Sequence, residues 1–183
     1  MIRLLRLLIV CSLSLSTVIY AADSGPVRLS PAIPGYGGAV HLPDAAVQLD
    51  PAREYKLVFN ITEAGRDDGA PLPGLETAAR FINLAALAGV PQDHVHIVMA
   101  IHGAGTPHAL SNAVYRAKYG SDNPSLELIN ALADYGVDIY VCGQAMAGFG
   151  FQHSETSDSI TVAVAALTVL VTYQLDGYAL MSY

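Results

Sequence analysis

Two short stretches hold the residue types best suited to chemistry. In YVCGQAMAGFGF, residues 140–151, Cys142 is followed directly by Gly143, and in HGAGTPH, residues 102–108, His102 precedes Gly103 and Gly105. A thiolate is a strong nucleophile towards sulfur. A helix starting within GQAMAG would favour it over the thiol, through unpaired N–H groups and the positive end of the helix dipole. Gly143 would let the backbone turn sharply and another molecule come close. His102 could accept a proton from the thiol or donate to a bound anion, and Gly103 and Gly105 could offer backbone N–H groups to the same anion, such as a sulfur oxyanion. Each reading has a plainer competitor. Free cysteine is among the most buried residue types, and a loop histidine can simply bond to nearby backbone. Whether the sulfur is open would then turn on whether Met146 and Phe149 close over it.

Other chemistries lack their signatures. There is no G-x-G-x-x-G after the first strand, no Gly-Lys-Ser/Thr and no G-x-S-x-G, which removes the common nucleotide and serine-hydrolase fingerprints. His94 and His96 are spaced to share one face of a strand, but no third or fourth ligand follows at useful spacing. Neither a metal nor a cofactor is expected. The Asn60-Ile61-Thr62 sequon falls in or beside a strand and reads as a chance match.

The chain around these residues has 183 positions and is 52% hydrophobic, enough for one globular domain with a substantial core. Residues 1–21 read as an export signal: Arg3 and Arg6, an apolar run over residues 7–19, then small residues suited to cleavage after Ala21 or Ala22. The run is short for a bilayer span, and Val10 stands where a lipid-attachment site before Cys11 would have a small residue. Cleavage leaves seven basic residues against sixteen acidic ones, a formal charge of −9. Nucleic acid is therefore an unsuitable partner, because no basic cluster exists to neutralise phosphates. The mature protein would be periplasmic or otherwise exported, with no membrane insertion, and Cys142 would be its one thiol. It could then be buried and inert, paired between chains, or chemically active.

Residues 22–54, rich in proline and glycine, read as an extended arm whose Tyr36, Val40, Leu42 and Val47 would lie along the domain or a neighbouring subunit. The regular part, 55–183, alternates strands with helices. YKLVFNI, HVHIVMAI, VDIYVC and GYALMSY read as strands. LETAARFINLAALAG reads as a helix closed by Gly89, and a helical stretch is predicted near 109–119. SDNPSLELINALADYG is a helix capped by Asn123, with Pro124 in its first turn and Gly136 at its end. Residues 159–176 are predicted as one long apolar helix, packed against the sheet on one side and against other protein, such as a second subunit, on the other. This alternation implies a parallel sheet of about four to five strands with helices on both faces, and chemistry at the carboxyl ends of the strands. Three loops arrive there: 62–74, 102–108 and 142–151.

The order of these features resembles the DsrE/DsrF-like family of small sulfur-relay proteins. The resemblance covers residues 55–183 and is most specific in GVDIYVCG and GYALM; YGGAVHLPDAA resembles the region before the domain in exported members. It implies a three-layer α/β/α fold, assembly into trimers or hexamers and, in active members, a cysteine that carries sulfur as a persulfide, at the position of Cys142. Cytoplasmic relay members work with partner subunits and a small acceptor protein. The function so implied is an exported sulfur carrier, sulfurtransferase-like, with Cys142 as acceptor and donor of sulfane sulfur, His102 as proton or anion partner, and a sulfur donor or acceptor protein as partner. The alternative is a non-catalytic oligomeric small-ligand-binding module in which Cys142 packs in the core. A third reading, a redox sensor working through an intermolecular Cys142 disulfide, ranks below both.

Overall fold

Apolar and β-branched runs of five to seven residues are buried on both faces in parallel sheets, and three such runs build the centre of this fold. They are β1 (Tyr55–Ile61), β2 (Val95–Ile101) and β3 (Asp138–Cys142). Two shorter strands, β4 (Thr161–Ala163) and β5 (Ala179–Ser182), complete one all-parallel sheet in the order β4-β3-β2-β1-β5. The computed structural model describes residues 25–65 and 69–182, so the export segment expected at 1–21 lies outside the described residues.

Helices cover both faces, as the alternation predicts. On one face α1 (Pro73–Leu87) and α3 (Leu126–Tyr135) meet the odd-numbered residues Leu57, Phe59, Ile61, Met99, Ile101 and Val141, forming the larger core. On the other, α5 (Ala166–Leu175) lies across β1, β2 and β3 and encloses a smaller core around Val58, Val98, Ala100 and Cys142. Two further helices, α2 (Asn112–Tyr119) and α4 (Gly143–Phe149), sit at the carboxyl edge. Pro73 opens α1, where its missing N–H costs no helical bond, and Gly89, at φ +77°, follows its end.

Two elements differ from their sequence-based assignment. Residues 159–176 are not one helix: β4 pairs with β3 through Tyr140↔Thr161, Val141↔Val162 and Cys142↔Ala163, and α5 begins only after the extended Ala165. The β-branched run Ile160, Thr161, Val162 suits the open edge of β3 better than a helix interior. The ten-residue α5 also leaves Leu167, Val171 and Leu175 exposed. Among the described residues no helix is long and apolar enough to cross a membrane. The other difference concerns Asn123, which does not cap α3. That helix starts at Leu126 with Ser125 in the cap position. The buried Asn123 amide instead donates to His108 O and Leu110 O, both at 2.8 Å, and accepts from Ser125 N at 3.0 Å. Three backbone groups of buried residues are thereby paired, and the bond from Ser125 N holds the buried start of α3.

The proline- and glycine-rich arm lies on the domain, held from beneath chiefly by Asn83. Asn83, fully buried on α1, accepts from the N–H groups of Ala32 and Ile33 at 3.0 Å and donates to Tyr36 O and Gly37 O at 2.9 and 3.1 Å. Glu76 accepts from Gly37 N at 2.8 Å. A side chain at Gly37 would overlap the backbone of Ala79 and Arg80, so glycine is what allows the arm this close to α1. The apolar anchors are Ile33 and Ala39, whereas Leu42 and Val47, expected to pack, are exposed. Asn83→Ala would strand four backbone groups and is expected to cost at least about 3 kcal/mol. Urea denaturation would measure the loss, and limited proteolysis should show early cleavage within residues 25–54.

Candidate functional site

The carboxyl ends of β1, β2 and β3 lie level, because the parallel register pairs Ile61 with Ile101 and Ile101 with Val141. Side chains alternate faces along a strand. Ile61, Ile101 and Val141 belong to the α1/α3 core, so Asn60, His102 and Cys142, each one residue away, point to the α5 face. His102 continues the extended backbone of β2 (φ −157°, ψ −170°), and its N–H donates to Ile61 O at 2.9 Å. Its imidazole is half-buried, with Nε2 2.6 Å from Asn60 Oδ1, and burial pushes its pKa below the usual histidine value. The ring is bonded neither to loop backbone nor to the thiol. Asn60 is the member of this group that sequence reasoning passed over. The alternation in YKLVFNI was the available signal, since it places Asn60 on the face of Lys56 and Val58, opposite Leu57, Phe59 and Ile61, just before the strand ends.

Cys142 ends β3 and occupies the N-cap position of α4, the strand-to-helix step anticipated within GQAMAG. Its Sγ accepts the N–H of Ala145 at 3.4 Å. The residue is 7% exposed and belongs to the core formed with Val98 and Ala100 of the sheet and Ala166 and Val169 of α5, against which Ala163, Ala165, Leu170 and Tyr173 pack. Neither residue whose closure would bury the sulfur lies over it: Met146 is buried in the opposite core, and Phe149 is exposed and stacked on Phe151. Gly143 serves a different purpose from the one its position suggests. A Cβ there would lie 2.8 Å from Ala163 O and 3.4 Å from Val162 Cγ1, so the missing side chain admits β4 rather than a visiting molecule.

The 102–108 loop forms a tight 3-10 segment, Gly103–Ala109. Gly103 has φ +55°, and the N–H of Gly105 donates to His102 O at 3.1 Å, serving the loop's own turn. A Cβ on Gly105 would approach Glu63 O to 3.1 Å, so this glycine also fits the loop against the chain leaving β1. Both carboxylate oxygens of Glu63 are buried without a hydrogen-bond partner among the described residues. His108, at the loop's far end, is buried with Nδ1 2.8 Å from Ser125 Oγ, and burial lowers its pKa to about 4. His94 and His96 do not share a strand face. His94 lies in a 3-10 turn, Gln92–His94, with Nδ1 at 3.2 Å from Pro51 O, while His96 on β2 sits 3.8 Å from Glu54. Among the described residues no three His, Cys, Asp or Glu side chains converge as a metal site requires.

Comparison with known proteins gives one family. The model of the DsrE/DsrF-like family matches residues 60–183. No curated protein matches the sequence. Two similar solved structures are the protein of unknown function MTH1491 from Methanobacterium thermoautotrophicum and the ychN protein from E. coli. The first is 17% identical with a TM-score of 0.49, covering 71% of this chain and 100% of that one. The second is 14% identical with a TM-score of 0.45, covering 70% of this chain and 99% of that one.

Two tests follow from this geometry. Gly143→Ala forces a methyl group against the Ala163 carbonyl and is expected to destabilise by about 1–3 kcal/mol, measured by urea denaturation. His108 has a folded pKa below its unfolded value, so its contribution to stability is fully present above about pH 6.5. As pH falls towards about 4 the unfolded state binds the proton first and stability declines. Denaturation midpoints measured from pH 7.5 to 4.5 should fall more steeply for the wild type than for His108→Gln.

Proposed function

The chain belongs to the DsrE/DsrF-like family, and from that premise we propose that it is an exported sulfur carrier holding sulfane sulfur as a persulfide on Cys142. The Cys142 thiolate attacks the outer sulfur of a persulfide donor, R–S–SH. The donor's S–S bond breaks and its electron pair leaves with RS⁻, which takes up the proton released by the cysteine. Transfer onward is the same exchange in reverse, onto an acceptor thiol. The observation that carries this reading is the placement of Cys142 at the carboxyl edge, as cap of α4 with the Ala145 N–H directed at its sulfur. Cys142 is the one cysteine among the described residues, so no neighbour there can discharge the persulfide as an internal disulfide.

The partners follow from the same reading. An export segment at 1–21 would place the donor and acceptor in the periplasm or an equivalent compartment. The exposed apolar side chains Val164, Leu167, Val171 and Leu175 support a homo-oligomer in which copies of the chain cover the outside of α5.

The 7% exposure of Cys142 favours a second reading, a non-catalytic ligand-binding module in which the thiol only packs. Mass spectrometry of mature protein treated with polysulfide should show one added sulfur atom on Cys142, removed by a small thiol and absent in Cys142→Ser. The packing reading wins if the native protein takes up no sulfur and its thiol reacts with iodoacetamide only after denaturation.

A further inference from the structure

The carrier reading leaves open what receives the thiol proton, and the α5 face of the sheet supplies an answer. We infer that Asn60 is a positioning residue that fixes the His102 ring with its proton on Nε2, leaving the Nδ1 lone pair to accept the proton of Cys142. This inference rests on the sulfur-carrier reading above.

The amide oxygen of Asn60 can only accept a hydrogen bond, so at 2.6 Å the bonded Nε2 must donate. In a neutral imidazole the proton on one nitrogen makes the other an acceptor. His102 and Cys142 each follow one half of the register pair Ile101↔Val141, so they occupy neighbouring positions on adjacent strands and share a face. Burial of the ring keeps it neutral at pH 7, the state in which Nδ1 can accept. The titratable groups on this face of the packed elements are Cys142, Tyr140 and Asp138 on β3, His96 on β2, Lys56 on β1, Tyr173 on α5, and Asp176 and Tyr178 between α5 and β5. Glu63 is the carboxylate on the loop leaving β1. Of these, Cys142 stands level with the ring.

The proton transfer balances within the exchange already given. Nδ1 takes the proton from Sγ as the thiolate attacks, and returns it to the departing RS⁻ when the donor's S–S bond breaks. Asn60 does not touch the reacting sulfur and acts only through the orientation and tautomer of the ring.

The test uses the mature protein and two readouts. Nitrogen NMR of the His102 ring should report the Nε2–H tautomer at pH 7.5 in wild type and lose that preference in Asn60→Leu. The rate of Cys142 alkylation against pH should fall on the order of tenfold at pH 7 in Asn60→Leu. In the nearly isosteric Asn60→Asp, which keeps the packing, its lower inflection should move to higher pH, because a carboxylate favours the imidazolium. A wild-type ring protonated on Nδ1, or an Asn60→Asp profile superimposable on wild type, overturns the assignment of Asn60 even if Cys142 still takes up sulfur. If instead the tautomer and the pH shift are as stated but polysulfide adds nothing to Cys142, the positioning role stands and the carrier reading fails.

Discussion

The site depends on the parallel register of β1, β2 and β3. In a parallel sheet every strand leaves by the same edge, and a shift of one residue turns each side chain to the opposite face. Here Ile61, Ile101 and Val141 end level and face α1 and α3. That alignment turns Asn60, His102 and Cys142 to the other face, although they come from positions about forty residues apart. The register is strongly specified, because slipping β1 by one residue would turn Phe59 and Ile61 out of the larger core and Asn60 into it. Burial of such side chains contributes about 1.5–3 kcal/mol each, so the hydrophobic pattern also holds the polar group in place.

The environment of the thiol is decided on the α5 side. The β4–α5 segment passes close enough for Gly143 to have no room for a side chain, and its alanines belong to or pack against the core that holds Cys142. The thiol is therefore buried in the smaller of the two cores. A single helix covers this face, and its outer apolar side is left exposed. Helix α5 thus turns Ala166 and Val169 to the sheet and leaves Leu167, Val171 and Leu175 exposed. On the opposite face the main core is closed by two helices and by the arm, which Asn83 ties to α1 through four backbone groups.

Much of this was legible in the residues. The alternation of strands and helices, the closing glycines Gly89 and Gly136, the parallel sheet, and the position of Cys142 at a strand end before a helix are local patterns, and local patterns carry into the fold. The misassigned elements depend on long-range competition. Residues 159–176 have a helix-compatible composition, but an open strand edge on β3 captured Thr161–Ala163. Asn123 has the chemistry of a cap, but buried carbonyls at His108 and Leu110 claimed its amide. Gly143 and Gly105 suggested access and anion binding, yet the space they leave is filled by Ala163 and approached by Glu63.

The sequence by itself determined which residues could do chemistry and at which end of the sheet they would stand, because residue type and strand periodicity are properties of a short stretch of chain. Only the tertiary structure decided which of them meet. The pairing of His102 with Asn60, the burial of Cys142 beneath α5 and the use of Gly143 as a packing contact all join segments distant in sequence. Such contacts follow from register and the packing of layers, which no single stretch encodes.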